Sequence, residues 1–187
     1  MAKQIIFSES ISINYLQDPN LKKHLIESFE INKNNNSLKN IKSNVGGFHT
    51  DNLLNNNIIS LLKPHLDIYI QDFVSKKFTI ELINLWIIEN KLNDYNISHL
   101  HEQSTFSGVY YLKVPENCGD LVFERNDKSN TMQRYSDFFI STDSVDRMSV
   151  KPKENMLLIF PSHLSHYVER NYNKQSRLSA SFNFNLK

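Results

Sequence analysis

Two histidines that lie two positions apart are well placed to bind a metal. His99 and His101 fall in an alternating segment, and residues two apart on a β-strand point to the same side. Two imidazoles on one side can converge on a single metal ion. The spacing alone leaves open the ordinary alternative of a polar pair on a solvent-facing strand.

A third histidine, His166, favours the metal interpretation. It follows the apolar segment Met156–Phe160 and a Pro161-Ser162 turn, and it precedes Arg177. Three imidazoles from antiparallel strands would form a facial set and leave the other coordination positions open. A redox-active iron needs such open positions to bind a co-substrate and dioxygen.

The segment His49-Thr50-Asp51 is a competing candidate. It has the His-x-carboxylate spacing of iron sites that use two histidines and one carboxylate. However, apolar residues recur at helical spacing from Asn52 onward. We therefore interpret Thr50 or Asp51 as a helix N-cap.

These histidines need strands to position them, and the chain after residue 77 supplies a strand-rich region. Short alternating segments bounded by Asn, Pro, Gly, Asp or Ser predict about nine strands. They are Phe78–Ile88, Ile97–His101, Phe106–Val114, Asp120–Phe123, Arg134–Ile140, Arg147–Val150, Met156–Phe160, Leu164–Val168 and Arg177–Leu186. No helical pattern separates them, which favours a closed sandwich or barrel over a parallel α/β sheet.

The front of the chain has a helical pattern instead. Asn20–Ile31 and Asn52–Phe73 are predicted as amphipathic helices, and Pro64 is expected to divide the second into two pieces. Residues 31–44 are predicted as a polar surface loop. We expect a single domain over residues 1–187, with a helical front at 1–77 and a β core at 78–187.

The last predicted strand has two interpretations. In Arg177–Leu186 the apolar side chains share one face of the strand. The other face has the polar side chains of Arg177, Ser179, Ser181, Asn183 and Asn185. The polar face meets solvent in an ordinary antiparallel strand. If it lines a barrel interior, Arg177 and Ser179 become an anion-binding pair in a polar cavity.

The composition describes a nearly neutral globular protein. Lys and Arg total 21 against 20 Asp and Glu, and this charge of +1 gives no strong nucleic-acid or membrane signal. One cysteine, Cys118, fits a reducing compartment. The sequence has no secretory signal and no apolar run near the roughly 20 residues of a membrane span, so we expect a cytoplasmic location.

Four blocks of the sequence resemble a known family. They are SNVGGFH at 43–49, HLHEQSTFSGVYYLKVPENCGDLVF at 99–123, PKENMLLIFPSHLSHYVERN at 152–171 and RLSASFNFN at 177–185. In this order they are similar to the 2-oxoglutarate- and Fe(II)-dependent oxygenases, in a small uncharacterised branch common in marine bacteria and their phages. The resemblance implies a mainly β fold, a double-stranded β-helix (jelly roll, cupin-like) with the N-terminal helices packed on one outer face. A phage-encoded chain would work in the host cytoplasm.

The resemblance also implies Fe(II) and 2-oxoglutarate as cofactors. His166 and Arg177 match the family's distal histidine and the arginine that binds the far carboxylate of 2-oxoglutarate. Tyr111 matches a tyrosine that hydrogen-bonds to this carboxylate, and Ser179 matches a hydroxyl residue that completes the pocket. The ordinary alternatives are a core aromatic for Tyr111, an interior filler for Ser179 and an outward charge paired with Glu169 for Arg177.

The metal ligands depart from the family pattern. Where the wider superfamily has His-x-Asp, this chain has His99 and His101, so we predict a three-histidine site completed by His166. Glu102 follows His101 directly and would need a bulge or turn to reach the metal. The carboxylates that could complete a two-histidine set instead are Glu102, Asp120 and Glu124.

The implied activity is hydroxylation of a small molecule or a protein side chain, coupled to decarboxylation of 2-oxoglutarate to succinate. Three histidines carry one less negative charge than the usual triad, which lowers the electron density on iron and favours slow oxygen activation or a different oxidation. The competing hypotheses are a three-histidine cupin-type dioxygenase without 2-oxoglutarate and a non-catalytic metal- or metabolite-binding module. A homodimer is compatible with the sequence.

Overall fold

The computed structural model describes residues 9–35, 43–125 and 147–187. The predicted strand Arg134–Ile140 and part of the predicted loop at 31–44 lie outside these ranges. The described elements are β1 (Ser12–Tyr15), α1 (Pro19–Asn35), β2 (Asn44–Val45), β3 (Phe48–His49), α2 (Asn56–Tyr69), a 3₁₀ helix (Gln71–Phe73), β4 (Ile80–Asn90), β5 (Tyr95–His99), β6 (Phe106–Lys113), β7 (Leu121–Glu124), β8 (Arg147–Val150), β9 (Met156–Pro161), β10 (Ser165–Val168) and β11 (Arg177–Leu186).

Two antiparallel sheets make up the β core. The larger sheet has the strand order β1-β9-β6-β11-β4-β3, and the smaller has the order β2-β5-β10-β7-β8. From β4 to β7, and again from β8 to β11, successive strands alternate between the two sheets, which is the winding of a jelly roll. The expected mainly β jelly-roll fold is confirmed.

The two helices pack on the outer face of the larger sheet. Residues of α1 and α2 that recur every four positions are buried in one cluster with the outer side chains of β4, β6, β9 and β11. The helical residues in that cluster are Leu21, Leu25, Phe29, Ile58, Leu62 and Leu66. None of the described helices is long and apolar enough to cross a membrane.

The second helix, α2, differs from the sequence prediction in its N-cap and in the effect of its proline. Its N-cap is Asn55, whose side chain accepts a hydrogen bond from the Ile58 N–H at 3.0 Å, so the N-cap assignment to Thr50 or Asp51 was wrong. Thr50 is instead buried beside β4, where its Oγ1 accepts from the Ile87 N–H at 2.9 Å.

The proline in this helix does not divide it, which corrects a second expectation. Pro64 lies inside α2, and both it and Ser60, four residues earlier, are exposed. The missing proline N–H would have bonded to the carbonyl of Ser60. Because this carbonyl lies on the solvent side, water can satisfy it and the helix continues.

Strand β11 lies between β4 and β6 at the centre of the larger sheet. Its apolar side chains, from Leu178 to Phe184, are buried beneath the helices. Its polar side chains line a cavity between the two sheets, so the barrel-interior interpretation is confirmed. They are Arg177, Ser179, Ser181 and Asn183.

Candidate active site

The three histidines predicted as metal ligands lie together at one end of the cavity. His99 ends β5 and is paired with His166 of β10 in the register of the smaller sheet, and His101 follows two residues after His99. One ring nitrogen from each lies within 4.8 Å of the others. The ring centroids of His99 and His166 are 4.4 Å apart, and His101 lies 5.1 and 5.4 Å from them. This spacing allows all three rings to face one metal ion.

Hydrogen bonds fix the orientation of two of these rings. His99 Nδ1 donates to the carbonyl of Ile97, and His166 Nδ1 donates to the carbonyl of Leu164, each at 2.8 Å. Because a carbonyl can only accept, each Nδ1 carries the proton and each Nε2 keeps its lone pair. Ligating histidines are typically held in this way by a partner on the second nitrogen.

Burial favours the neutral form of two of the three histidines. It lowers the pKa of His99, and together with the neighbouring His99 and His101 rings it lowers the pKa of His166 to about 3. A neutral imidazole is the form that binds a metal ion. His99 and His166 can therefore bind a metal at neutral pH without first losing a proton.

Among the described residues, no carboxylate joins this cluster. Within the described ranges, the side chains close enough to hold a metal ion together are the three histidines. Glu102 is exposed at the cavity wall, and Glu124 accepts a hydrogen bond from Ser98 at 2.6 Å and faces Arg147. An all-imidazole donor set fits Fe(II), among other transition metals.

His49 also reaches the cavity, but it lies outside the metal-binding group. It is in β3, and its ring stacks on Trp86 with 5.7 Å between the centroids and 10° between the planes. The sequence favoured a structural role for His49-Thr50-Asp51 over a metal-binding role, and this position agrees with it. The segment does not, however, begin a helix.

The other end of the cavity holds a buried positive charge. The Arg177 guanidinium donates through Nη1 to the carbonyls of Cys118 and Gly119 at 3.0 and 3.1 Å. Through Nη2 it donates to Asn90 Oδ1 at 2.7 Å, and its buried Nε has no hydrogen-bond partner in the described part of the chain. Glu169 accepts from the Asp120 N–H instead, so the outward pairing of Arg177 with Glu169 is absent.

A charge buried among neutral acceptors strongly favours an anionic ligand. Arg177 is 2% exposed, and its described acceptors are two carbonyls and an amide oxygen. Such a charge is costly unless it is paired, and its free N–H can donate to a carboxylate. The residues at this end of the cavity therefore fit one carboxylate of 2-oxoglutarate.

Tyr111 and Ser179 lie beside this charge. They are paired across β6 and β11, both are buried, and both line the cavity with Arg177. Burial raises the pKa of the Tyr111 phenol to about 12, even though Arg177 acts in the opposite direction. The phenol therefore keeps its proton and can donate it in a hydrogen bond to an anion.

One cavity of about 720 Å³ joins the two ends. Its wall includes the histidine cluster, Arg177, Tyr111 and Ser179, so a small dicarboxylate can contact the cluster and the arginine from the same space. The sequence-predicted site residues thus meet in one place.

The sequence matches a known family over this same region. Residues 84–183 match the family model described as "Putative 2OG-Fe(II) oxygenase", which covers more than half of the chain. The chain belongs to this 2OG-Fe(II) oxygenase family. The cofactors of this oxygenase are Fe(II) and 2-oxoglutarate. No curated protein sequence matches the chain.

Solved structures of similar fold include several 2-oxoglutarate oxygenases. A prolyl-4-hydroxylase from Pseudomonas putida is 18% identical, with a TM-score of 0.59, over 95% of this chain and 92% of its own. A prolyl hydroxylase from Trichoplax adhaerens, solved with a hypoxia-inducible-factor peptide, is 13% identical, with a TM-score of 0.63, over 95% and 84%. HygX from Streptomyces hygroscopicus, solved with nickel, 2-oxoglutarate and hygromycin B, is 12% identical, with a TM-score of 0.64, over 94% and 82%. At these sequence identities the structural similarity shows only the fold of the oxygenase and not its substrate.

From the sequence, no cavity positions were assigned to β4, which contributes two asparagines and a tryptophan to the cavity wall of the oxygenase. Asn84, Trp86 and Asn90 point into the cavity, whereas the intervening Leu85 and Ile87 are buried on the helical side. The signal was the alternation of this strand, in which Asn84, Trp86, Ile88 and Asn90 occupy every second position.

Proposed function

We propose that this oxygenase binds Fe(II) through His99, His101 and His166 and binds the far carboxylate of 2-oxoglutarate through Arg177. The single observation that carries the proposal is the buried Arg177 guanidinium, with neutral acceptors and an unpartnered Nε, in the same cavity as the histidine cluster. The proposed activity is hydroxylation of a small molecule or a protein side chain.

Each side chain has a specific task in this proposal. The three imidazoles supply nitrogen donors, and backbone carbonyls set the orientation of the His99 and His166 rings. Arg177 pairs with the anion, and Asn90 holds the guanidinium in place from the other side. The Tyr111 hydroxyl donates a hydrogen bond to the same carboxylate, and Ser179 lies beside it. When bound, Fe(II) and 2-oxoglutarate supply the oxidising chemistry, in which dioxygen is consumed and 2-oxoglutarate leaves as succinate and carbon dioxide.

The charges at the site support a dianionic co-substrate. The proposed metal ligands carry no negative charge, and Arg177 adds a positive one, so both carboxylates of 2-oxoglutarate meet favourable partners. A ligand with a single carboxylate would leave either the metal or the guanidinium without an anion. Succinate and 2-oxoglutarate share the far carboxylate, and the keto acid adds chelation at the metal end.

Anaerobic titration tests the proposal. Protein loaded with Fe(II) is titrated with 2-oxoglutarate while the weak visible charge-transfer band of the chelate is recorded. The wild type should develop the band. His166→Ala should lose iron and the band together, and Arg177→Ala should keep iron but bind 2-oxoglutarate at least about 100-fold more weakly, since it loses charge-assisted hydrogen bonds.

The matched control is Arg170→Ala, which removes an exposed arginine that lies over the Tyr95 ring on the surface. This variant should titrate like the wild type, and Arg177→Lys, which retains a buried cation, guards against misfolding of the alanine variant. Iron binding without a band in the wild type would contradict the proposal and favour a three-histidine dioxygenase that does not use 2-oxoglutarate. Failure to bind iron would favour a non-catalytic binding module.

A further inference from the structure

Two polar atoms on one face of β4 have no hydrogen-bond partner. They are the indole Nε1 of Trp86 and the amide Oδ1 of Asn84, both buried and both unpaired with respect to the described residues. The two side chains line the cavity, because residues two apart on a strand point to the same side. One wall of the cavity therefore has an unused donor and an unused acceptor on neighbouring inward positions of the same strand.

The indole is held rigidly next to the proposed metal site. Its ring stacks on His49 and lies 5.9 Å from the ring of His101, with the planes tilted by 52°. The His49 ring is itself fixed by a bond of 2.6 Å from its Nδ1 to the carbonyl of Thr50. A group bound to the Trp86 N–H would therefore lie close to the histidine cluster.

An unpaired buried donor and acceptor are unfavourable in the free protein and gain most from a ligand that satisfies both. The charges in the cavity limit what that ligand can be. Among the described residues of the cavity wall, the one cation is Arg177, which is assigned to 2-oxoglutarate, and the one carboxylate is the exposed Glu102. A second anionic group would find no cation of its own, so the group that binds at Trp86 and Asn84 is uncharged.

The separation along the strand selects between uncharged groups. The Cα atoms of residues two apart on a strand are roughly 7 Å apart. A single hydroxyl must reach both partners from one oxygen, whereas a secondary amide presents its acceptor and its donor on different atoms. An amide therefore spans the pair better.

We propose that Trp86 and Asn84 form a subsite for an uncharged secondary amide of the substrate. The Trp86 N–H donates to the amide carbonyl, and Asn84 Oδ1 accepts from the amide N–H. This inference rests on the proposed function, since it places the amide beside the metal ligands of that same site. A peptide bond and an amide of a small metabolite share this chemistry.

The rim of the cavity gives the amide apolar neighbours. Ile83, Ile97 and Leu100 line the cavity and are 39%, 49% and 38% exposed. Apolar groups that flank an amide can cover these side chains from water.

The chain has one tryptophan, so its fluorescence reports on the subsite directly. The Fe(II)- and 2-oxoglutarate-loaded protein is titrated without oxygen with N-methylpropanamide, which has a single secondary amide, and Trp86 emission is recorded. A saturable change is expected. The matching ester, in which oxygen replaces the amide N–H, should bind about 10-fold more weakly because Asn84 loses its donor. A blocked pentapeptide that binds more tightly than the single amide indicates a peptide substrate, and equal affinity indicates a small amide.

Two variants separate recognition from folding. Asn84→Leu should weaken amide binding about 10-fold without lowering the melting temperature, because Asn84 Oδ1 has no partner to lose within the described chain. Trp86→Phe keeps the ring but removes the N–H, and ligand-observed NMR should show a similar loss. The control Asn57→Ala changes an exposed asparagine on α2 and should leave amide binding unchanged.

The subsite would be overturned by no saturable change with the amide, by equal affinity for amide and ester, or by unchanged amide binding in Asn84→Leu. A larger response to methyl glucoside than to the amide would overturn it as well. The amide titration is also run without 2-oxoglutarate, and 2-oxoglutarate binding is measured on the same sample. Failure with the amide when 2-oxoglutarate binds refutes the subsite alone, whereas failure to bind 2-oxoglutarate refutes the proposed function.

Discussion

Replacing Asn90 with aspartate is expected to weaken 2-oxoglutarate binding about 100-fold. Asn90 Oδ1 accepts from Arg177 Nη2 at 2.7 Å, and both side chains are buried. Aspartate would place a carboxylate against the guanidinium and satisfy its charge before any ligand arrives. The incoming carboxylate would meet this new charge at a distance of about 6 Å. At an effective dielectric constant of about 20, the repulsion is roughly 3 kcal/mol, which corresponds to about 100-fold in Kd.

The assay is the anaerobic 2-oxoglutarate titration, combined with thermal melting of the ligand-free protein. Asn90→Leu is the informative contrast, because it removes the acceptor but keeps the arginine charge available. It should destabilise the ligand-free protein by about 2 kcal/mol, the value of a hydrogen bond to a charged group, yet bind 2-oxoglutarate more tightly than Asn90→Asp. Asn57→Asp, which adds the same charge at an exposed position of α2, should bind 2-oxoglutarate like the wild type. If Asn90→Asp binds 2-oxoglutarate with wild-type affinity, Arg177 is not its carboxylate partner.

Three further predictions concern the metal site and the fold. His101→Leu should reduce Fe(II) affinity at least 10-fold, as measured by calorimetry. The control His163→Leu, which removes an exposed histidine outside the cluster, should bind Fe(II) like the wild type. Equal Fe(II) affinities of the two variants would contradict the ligand set. Gly108→Ala should destabilise the protein by roughly 1–3 kcal/mol in denaturant melts, because a Cβ there would lie 2.3 Å from a phenylalanine ring atom. Asp18→Ala should cost about 1 kcal/mol at pH 7, because the carboxylate caps α1. The hydrogen bond to His65 lowers the pKa of Asp18. The contribution of Asp18 to stability is therefore present above pH 3.8 and is lost as the pH falls through the lowered pKa. An equal difference in stability between wild type and variant at pH 7 and in acid would refute this.

Several strands and the site residues on them could be predicted because their signal is local. Arg147–Val150 and Arg177–Leu186 have the predicted bounds, since alternation over a strand reports which residues share a face. The position of His166 after an apolar segment and a turn indicated a third ligand, but its pairing with His99 was not predicted, because register between strands far apart in sequence has no local signature.

The missed features depend on tertiary contacts. Strands β2 and β3 have two residues each, too few to show alternation. Pro64 was misjudged because its tolerance in α2 depends on exposure, which the local pattern did not specify. The partners of Arg177 include two backbone carbonyls, at Cys118 and Gly119, and a carbonyl has no sequence signal at all.

The central position of β11 has a consequence for how the enzyme acquires its site during synthesis. Strands β4 and β6 are neighbours of β11 but not of each other, so the larger sheet has a gap until residues 177–186 arrive. The ribosome releases β4 and β6 well before their shared partner, and contacts of such long sequence separation form slowly. The strand that closes this gap also carries the proposed anion-binding arginine. A nascent chain that stops short of β11 therefore lacks both a complete sheet and a co-substrate site, which ties the onset of 2-oxoglutarate binding to completion of the fold.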